Sequence, residues 1–426
     1  MLVTEMRNIF DQYSQPENRV THALVSALHE DSNLLRAFLA DIANCSPPKA
    51  KDSIEICEQT YPGEIEAAEE ETERRGIPDA WITAGEDWCL VLENKVLDVA
   101  TNDQLSRHLS TAKRLGFTDP RALVLTIRET DGEMPEGTRV VEWHTVYRWL
   151  IDRAPESPWA RRVAEFLEVM EGRMVDQQQL TAGTLTAFNG FPFDSDNPFS
   201  YLEAKRILGL ATVELRNRND LRSDLGMAPD LPGRPAITGR GDDRVWDFLQ
   251  FDAAHEANNF TDFPHLTLRI GREDIGAMIT VPNGLPRASL RRLVELGPDG
   301  FRDLIHDILE RMQPTLTVCE GMEPRLNAVQ VRFRTQRSVP FRDAVIDFDL
   351  RTGFDSVGPP KTQPQWIEAV YNCLANKNSN FQMQIGAKFP YRTCEAIRSV
   401  DALDYVAEAW IACRPLVELL VTDKPV

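Results

Sequence analysis

"GIPDAWITAGEDWCLVLENKV", residues 76–96, holds two apolar runs separated by Gly85, Glu86 and Asp87, with an acid near the start of the first and Glu-Asn-Lys at the end of the second. Read as a β-hairpin centred on Glu86, the stretch pairs Ala84 with Trp88, Ile82 with Leu90, Ala80 with Leu92 and Asp79 with Glu93. Two acids then stand opposite each other with their Cβ atoms roughly 5 Å apart, where like charges repel. The two-residue period of a strand puts Val91, Glu93 and Lys95 on one face and Leu90, Leu92 and Asn94 on the other. A hairpin that served the fold alone would gain nothing from this concentration of charge. A divalent cation between the carboxylates would offset the repulsion.

Outward from the hairpin, regular elements alternate. "PENRVTHALVSALHE" places Val20, Leu24, Ala27 and Leu28 at helical spacing, "NLLRAFLADI" continues as a second helix, and "SIEICEQT" alternates as a short strand. After the hairpin, "TNDQLSRHLSTAKRLG" reads as a helix with Thr101 or Asn102 as N-cap and Gly116 at its end. "RALVLTIR" has the continuous apolar character of a buried strand, and "TRVVEWHTVYRWLI" of a strand turning into a helix. The order αβββαβ, followed by βα, defines an α/β domain with a mixed central sheet over residues 1–175. Residues 176–196 lack a period and are expected to form a linker. Residues 197–426 alternate probable strands and helices as a separate α+β domain.

The bulk numbers exclude several classes. A chain of 426 residues exceeds what one core usually serves. No apolar run approaches the roughly 18 residues of a membrane helix, and "MLVTEMRNIFDQ" lacks the order of a signal peptide, so a cytoplasmic protein with no membrane partner is expected. Seven scattered cysteines without a C-x-x-C pair point to buried, reduced thiols rather than a zinc or redox centre. A net charge of −19 argues against non-specific coating of nucleic acid. Residues 1–175 carry 19 Lys and Arg against 32 Asp and Glu. Much of that excess is the run "EIEAAEEETERR" at 64–75, read as a solvated segment.

Pro78-Asp79, Glu93-Asn94-Lys95 and the Gln104-Leu105 pair at the start of the next helix together resemble the PD-(D/E)xK nuclease superfamily, the restriction-endonuclease-like fold. The likeness is confined to the N-terminal domain. It implies that Asp79 and Glu93, with the main-chain carbonyl of Asn94, supply hard oxygen ligands for Mg²⁺ or Mn²⁺. It also implies that Lys95 stands beside the attacking water or the charge building on phosphate, that Glu17 adds a metal ligand directly or through water, and that Gln104 holds a phosphate or fixes Lys95. The implied activity is metal-dependent hydrolysis of phosphodiester bonds, with DNA preferred to RNA, in the manner of nucleases of bacterial antiviral defence. The implied partners are nucleic acid and a second copy or an activator. The rival is a catalytically inactive nuclease-fold adaptor that binds protein or nucleic acid.

The residues also admit plainer readings. An acid at a helix start such as Glu17 is favoured by the helix dipole alone, and Gln104 suits a solvated first turn. His22, His108 and His144 have no ligand spacing and are expected to be surface or partly packed. In the second domain, "VQVRFRTQR", residues 329–337, is read with Val329, Val331 and Phe333 inward and Gln330, Arg332, Arg334 and Gln336 outward. That face would offer Arg332 and Arg334 to nucleic-acid phosphates, or would simply be solvated.

Overall fold

The computed structural model describes residues 10, 13, 15–45, 54–62, 77–85, 87–128, 132–234, 243–256, 261–335, 341–351, 364–376 and 380–421. The acidic run at 64–75, Glu86 and Gln336 lie outside these residues. The chain divides into two compact units, Met1–Ala187 and Phe188–Val426. Each is mixed α/β and each has its own sheet.

In the first unit, α1 (Pro16–Glu30) and α2 (Ser32–Ala37, extended by a π turn over Phe38–Ile42) precede β1 (Ile54–Glu58), β2 (Ala80–Ala84) and β3 (Trp88–Lys95). They are followed by α3 (Asn102–Arg114), β4 (Asp119–Thr126), β5 (Thr138–Glu142), α4 (Trp143–Arg153) and α5 (Pro158–Asp176). The sheet order is β1-β2-β3-β4-β5. The first three strands run antiparallel, and β3/β4 and β4/β5 are parallel. Gly85, at φ 63°, supplies the left-handed backbone that the β2–β3 turn requires. The register pairs Ala80 with Leu92, Ile82 with Leu90 and Ala84 with Trp88, as the hairpin reading expects.

Alternation along the strands divides the core. Ala80, Ile82, Leu90 and Leu92 pack with Leu24, Leu28 and the helices α4 and α5. Trp81, Cys89 and Val91 face the other way, onto Leu109 and Ala112 of α3. Each large apolar side chain buried this way contributes roughly 1.5–3 kcal/mol. Helix α3 starts at Thr101, whose hydroxyl accepts from the Gln104 amide. The cap sets the phase that turns Gln104 and His108 toward the end of β3.

The second unit contains α6 (Tyr201–Arg216), α7 (Asn219–Leu225), β6 (Arg244–Leu249), β7 (His265–Gly271), β8 (Asp274–Val281), α8 (Arg287–Glu295), α9 (Gly297–Val318), β9 (Glu323–Arg332), β10 (Phe341–Asp349), α10 (Pro364–Ala375), β11 (Asn380–Pro390), α11 (Ala402–Ala412) and α12 (Arg414–Val421). Its six-stranded sheet, β10-β9-β11-β8-β7-β6, is antiparallel throughout. One face packs on helices through residues such as Leu268, Ile279, Leu326 and Ile385.

Two expectations change. The stretch read as a linker has no helix or strand over 177–200, yet it is packed. Leu185 and Ala187 join the core of the first unit, and Phe188, Phe191 and Phe193 that of the second. The buried Glu171 carboxylate anchors it by accepting from the amides of Gly183 (2.9 Å), Leu185 (2.9 Å) and Thr186 (2.7 Å). The facing of β9 is also reversed. Leu326 and Ala328 are in the helix-covered core, and Gln330 donates to the Cys373 carbonyl of α10 at 2.7 Å, so the even-numbered positions point inward. Val329 and Val331 lie on the opposite face, and Phe333 is exposed.

All seven cysteines are free thiols, five of them buried. Among the described residues, no helix is long and apolar enough to cross a membrane.

Candidate functional site

The hairpin and two neighbouring helices bring six of the expected residues to one end of the first sheet. Asp79 precedes β2, and its Oδ2 accepts a 2.6 Å hydrogen bond from the Asn94 amide of β3. Glu93 is 2% exposed. Its Oε1 is shared by Lys95 Nζ at 2.9 Å and Gln104 Nε2 at 2.5 Å. Gln104 therefore positions Glu93, the partner of Lys95, rather than Lys95 itself.

Charge and burial set the protonation of this group. Burial, then repulsion from Glu93, pushes Asp79 up to about 7, against the pull of the Asn94 amide and Lys95, with Glu17 adding repulsion. Burial also opposes the charge on Glu93, but His108 and Lys95 outweigh it and hold that carboxyl below its ordinary range. Lys95 loses hydration as well, yet Glu93, Asp79 and Glu17 keep its ammonium protonated to higher pH than usual. The pair thus carries between one and two negative charges near neutrality, with the ammonium beside it.

Asn94 and Glu17 have structural duties. The Asn94 carboxamide, buried on the other face of β3, donates to the Glu17 carbonyl and to Thr21 Oγ1, both at 3.0 Å, and accepts from Trp143 Nε1 at 2.6 Å. Glu17 Oε1 accepts from the amides of Val96 and Leu97, both at 2.8 Å, bracing the chain where it leaves β3. That oxygen is already engaged, so Glu17 acts as a brace that also adds negative charge to the site.

His108 is the residue that sequence reasoning missed. It is 2% exposed, and its Nε2 lies 3.3 Å from Glu93 Oε2. The two atoms are off the line of a good hydrogen bond, which leaves both buried without a well-formed partner. The available signal was its i+4 spacing from Gln104, which places both on one helix face. A second missed pair is His22 Nδ1 with Glu58 Oε2, 2.7 Å apart. His144 pairs with Glu142 at 3.0 Å at the surface.

Among the described residues, no group of three His, Cys, Asp or Glu side chains is arranged to hold a metal ion. The donors at hand are the two carboxylates of Asp79 and Glu93 and the Asn94 carbonyl. A hard cation fits this set on two observations: Glu93 Oε2 is a buried oxygen without a well-formed hydrogen bond, and burial together with repulsion from Glu93 disfavours a second bare negative charge on Asp79.

Arg332 and Arg334 are not part of this constellation. Arg332 Nε is 2.8 Å from both Asp343 oxygens on the adjacent β10, and the Arg334 guanidinium lies 5.1 Å from the centre of the Phe341 ring. No family model matches the chain, and no curated protein does.

Proposed function

We propose that the first unit is a Mg²⁺- or Mn²⁺-dependent nuclease that hydrolyses phosphodiester bonds, with DNA as the preferred substrate. One observation carries the reading: the part-buried Asp79 carboxylate and the buried Glu93 carboxylate lie close enough to repel each other at one end of the β2–β3 hairpin, with a single ammonium beside them. That arrangement costs stability unless a cation joins it. Asp79, Glu93 and the Asn94 carbonyl would hold the ion. When bound, it supplies Lewis-acid polarisation of the phosphodiester and lowers the pKa of a coordinated water.

The remaining work falls to side chains. Lys95 stabilises negative charge on the attacked phosphate. Gln104 and His108 orient the two oxygens of Glu93. Glu17 holds the backbone after Lys95 in place. A role in antiviral defence is compatible with this chemistry and rests on the resemblance alone.

A second reading, a nuclease fold that binds without cutting, is favoured because no three-residue ligand group occurs among the described residues. One experiment separates the two. The purified chain is incubated with supercoiled, linear and single-stranded DNA and with RNA, with and without Mn²⁺, beside Lys95→Ala. Metal-dependent cleavage lost in Lys95→Ala supports the nuclease. Calorimetric binding of Mg²⁺ without cleavage of any substrate supports the adaptor.

A further inference from the structure

Among the described residues, one face of the second unit's sheet carries no helix, and that face is hollowed into a concavity of about 600 Å³. Its register arranges the outward side chains in rows across the strands. One row is polar: Asp347 pairs with Asn327, Asn327 with Gln384, Gln384 with Thr280, and Thr280 with His265. Four residues along β11, a second row runs from Lys388 through Gly276 and Arg269 to Trp246. The rows are about 13 Å apart at strand rise. Between them runs a middle row with Thr267 and Met278, and at its Gly386 an added Cβ would fall 2.1 Å from the Ala277 carbonyl, so that position admits no side chain.

The floor is organised rather than merely solvated. His265, Thr267, Met278 and Thr280 are buried although they point away from the helices. The Thr267 and Thr280 hydroxyls are 2.6 Å apart, and Gln384 Nε2 donates to Thr280 Oγ1 at 2.9 Å. The Gln384 carboxamide oxygen is left without a partner among the described residues, as an acceptor turned to the cavity. Trp246 closes the β6 side, its ring held by the Arg234 guanidinium 4.0 Å from its centre.

Charge narrows the ligand. The lining carries Arg244, Arg269 and Lys388 against Asp274 and Asp347. Arg269 is taken by Asp274, and Asp347 is shared between Arg325 at 2.7 Å and Lys388 at 3.5 Å. Arg244 has no carboxylate partner among the described residues. A cationic surplus in a chain of net charge −19 selects an anion. The carboxamides and hydroxyls match the alternating donors and acceptors of a base edge. The volume and buried floor fit a small molecule.

We propose that this concavity binds a nucleoside phosphate, with the base edge on the Asn327–Gln384–Thr280 row and the phosphate on the Lys388 side. The proposal does not rest on the reading of the first unit.

The test is calorimetry on the full chain in EDTA, which removes divalent metal from the acidic site. The probes are the monophosphates and triphosphates of adenosine, guanosine, cytidine and uridine, the four nucleosides, inorganic phosphate, and a single strand of about 20 nucleotides. At least one nucleotide is expected to bind with Kd below about 100 μM, and its nucleoside and inorganic phosphate at least about tenfold more weakly. Gln384→Ala and Lys388→Ala are each expected to lower that affinity about tenfold or more, with Tm unchanged. Gln384→Glu and Lys388→Gln serve if an alanine variant fails to fold. No nucleotide binding below about 1 mM, or binding unaltered in the variants, overturns the proposal. Tight binding by the long strand alone also overturns it and makes the face a strand-binding surface.

Discussion

Asp79 Oδ2 accepts from the main-chain amide of Asn94, one residue beyond Glu93 on β3. This bond holds the carboxylate of Asp79 in place against repulsion from Glu93. It also ties the metal-ligand candidates to the strand pair rather than to a loop, so their separation is set by the sheet.

The protonation of Asp79 makes stability depend on pH in a defined direction. Unfolded, the carboxyl titrates near ~3.9; folded, it is pushed up to about 7. Between these values the folded chain binds the additional proton, so stability falls as pH rises, by up to roughly 1.4 kcal/mol per unit from this group. Glu93 has the opposite shift, and its contribution is lost only on acidification below the ordinary carboxylate range. Thermal melting in EDTA should show Tm declining from about pH 4.5 to 7. Asp79→Asn should flatten that decline, and saturating Mg²⁺ should reverse it.

Glu17→Gln retains one oxygen for the Val96 and Leu97 amides. As a brace, Glu17 tolerates this change, and Mg²⁺ affinity measured by calorimetry should fall by less than about threefold. A metal ligand would lose far more, typically 10–100-fold or beyond. Glu17→Ala should lower stability because the amides lose their acceptor.

Asn94→Ala removes a buried carboxamide that makes three hydrogen bonds and strands the Trp143 indole N–H. The loss should be on the order of 3 kcal/mol, seen as a lower urea midpoint with an unchanged slope. Lys95→Ala should reduce cleavage about 100-fold or more and also lower the midpoint, because the buried Glu93 carboxylate loses its ammonium partner.

His108→Ala removes the imidazole whose Nε2 lies 3.3 Å from Glu93 Oε2. Cleavage should fall about tenfold, with an altered dependence on Mn²⁺ concentration, because the carboxylate loses an orienting contact. A merely structural histidine would change Tm and leave the metal dependence as it was.

Arg332→Ala together with Arg334→Ala should leave the salt dependence of DNA binding unchanged, since Asp343 already neutralises Arg332 and Arg334 lies over Phe341. A slope reduced by about 1–2 would return these arginines to the phosphate interface.

The chain's sequence determined the strands, the hairpin register and the facing of Glu93 and Lys95, because these follow from period-two alternation and a turn at Gly85, all within about twenty residues. It also marked Gln104, through the cap at Thr101. Only the tertiary structure decided the partners: the Glu17 brace, the Trp143–Asn94 bond and the His108 contact join residues 79, 49 and 15 positions apart, which no local period encodes. The same holds for β9. Its apolar and polar residues alternate either way, and the inward face was chosen by α10, whose Cys373 carbonyl receives Gln330. A strand's pattern states that its two faces differ, while the element packed against it determines which face is covered.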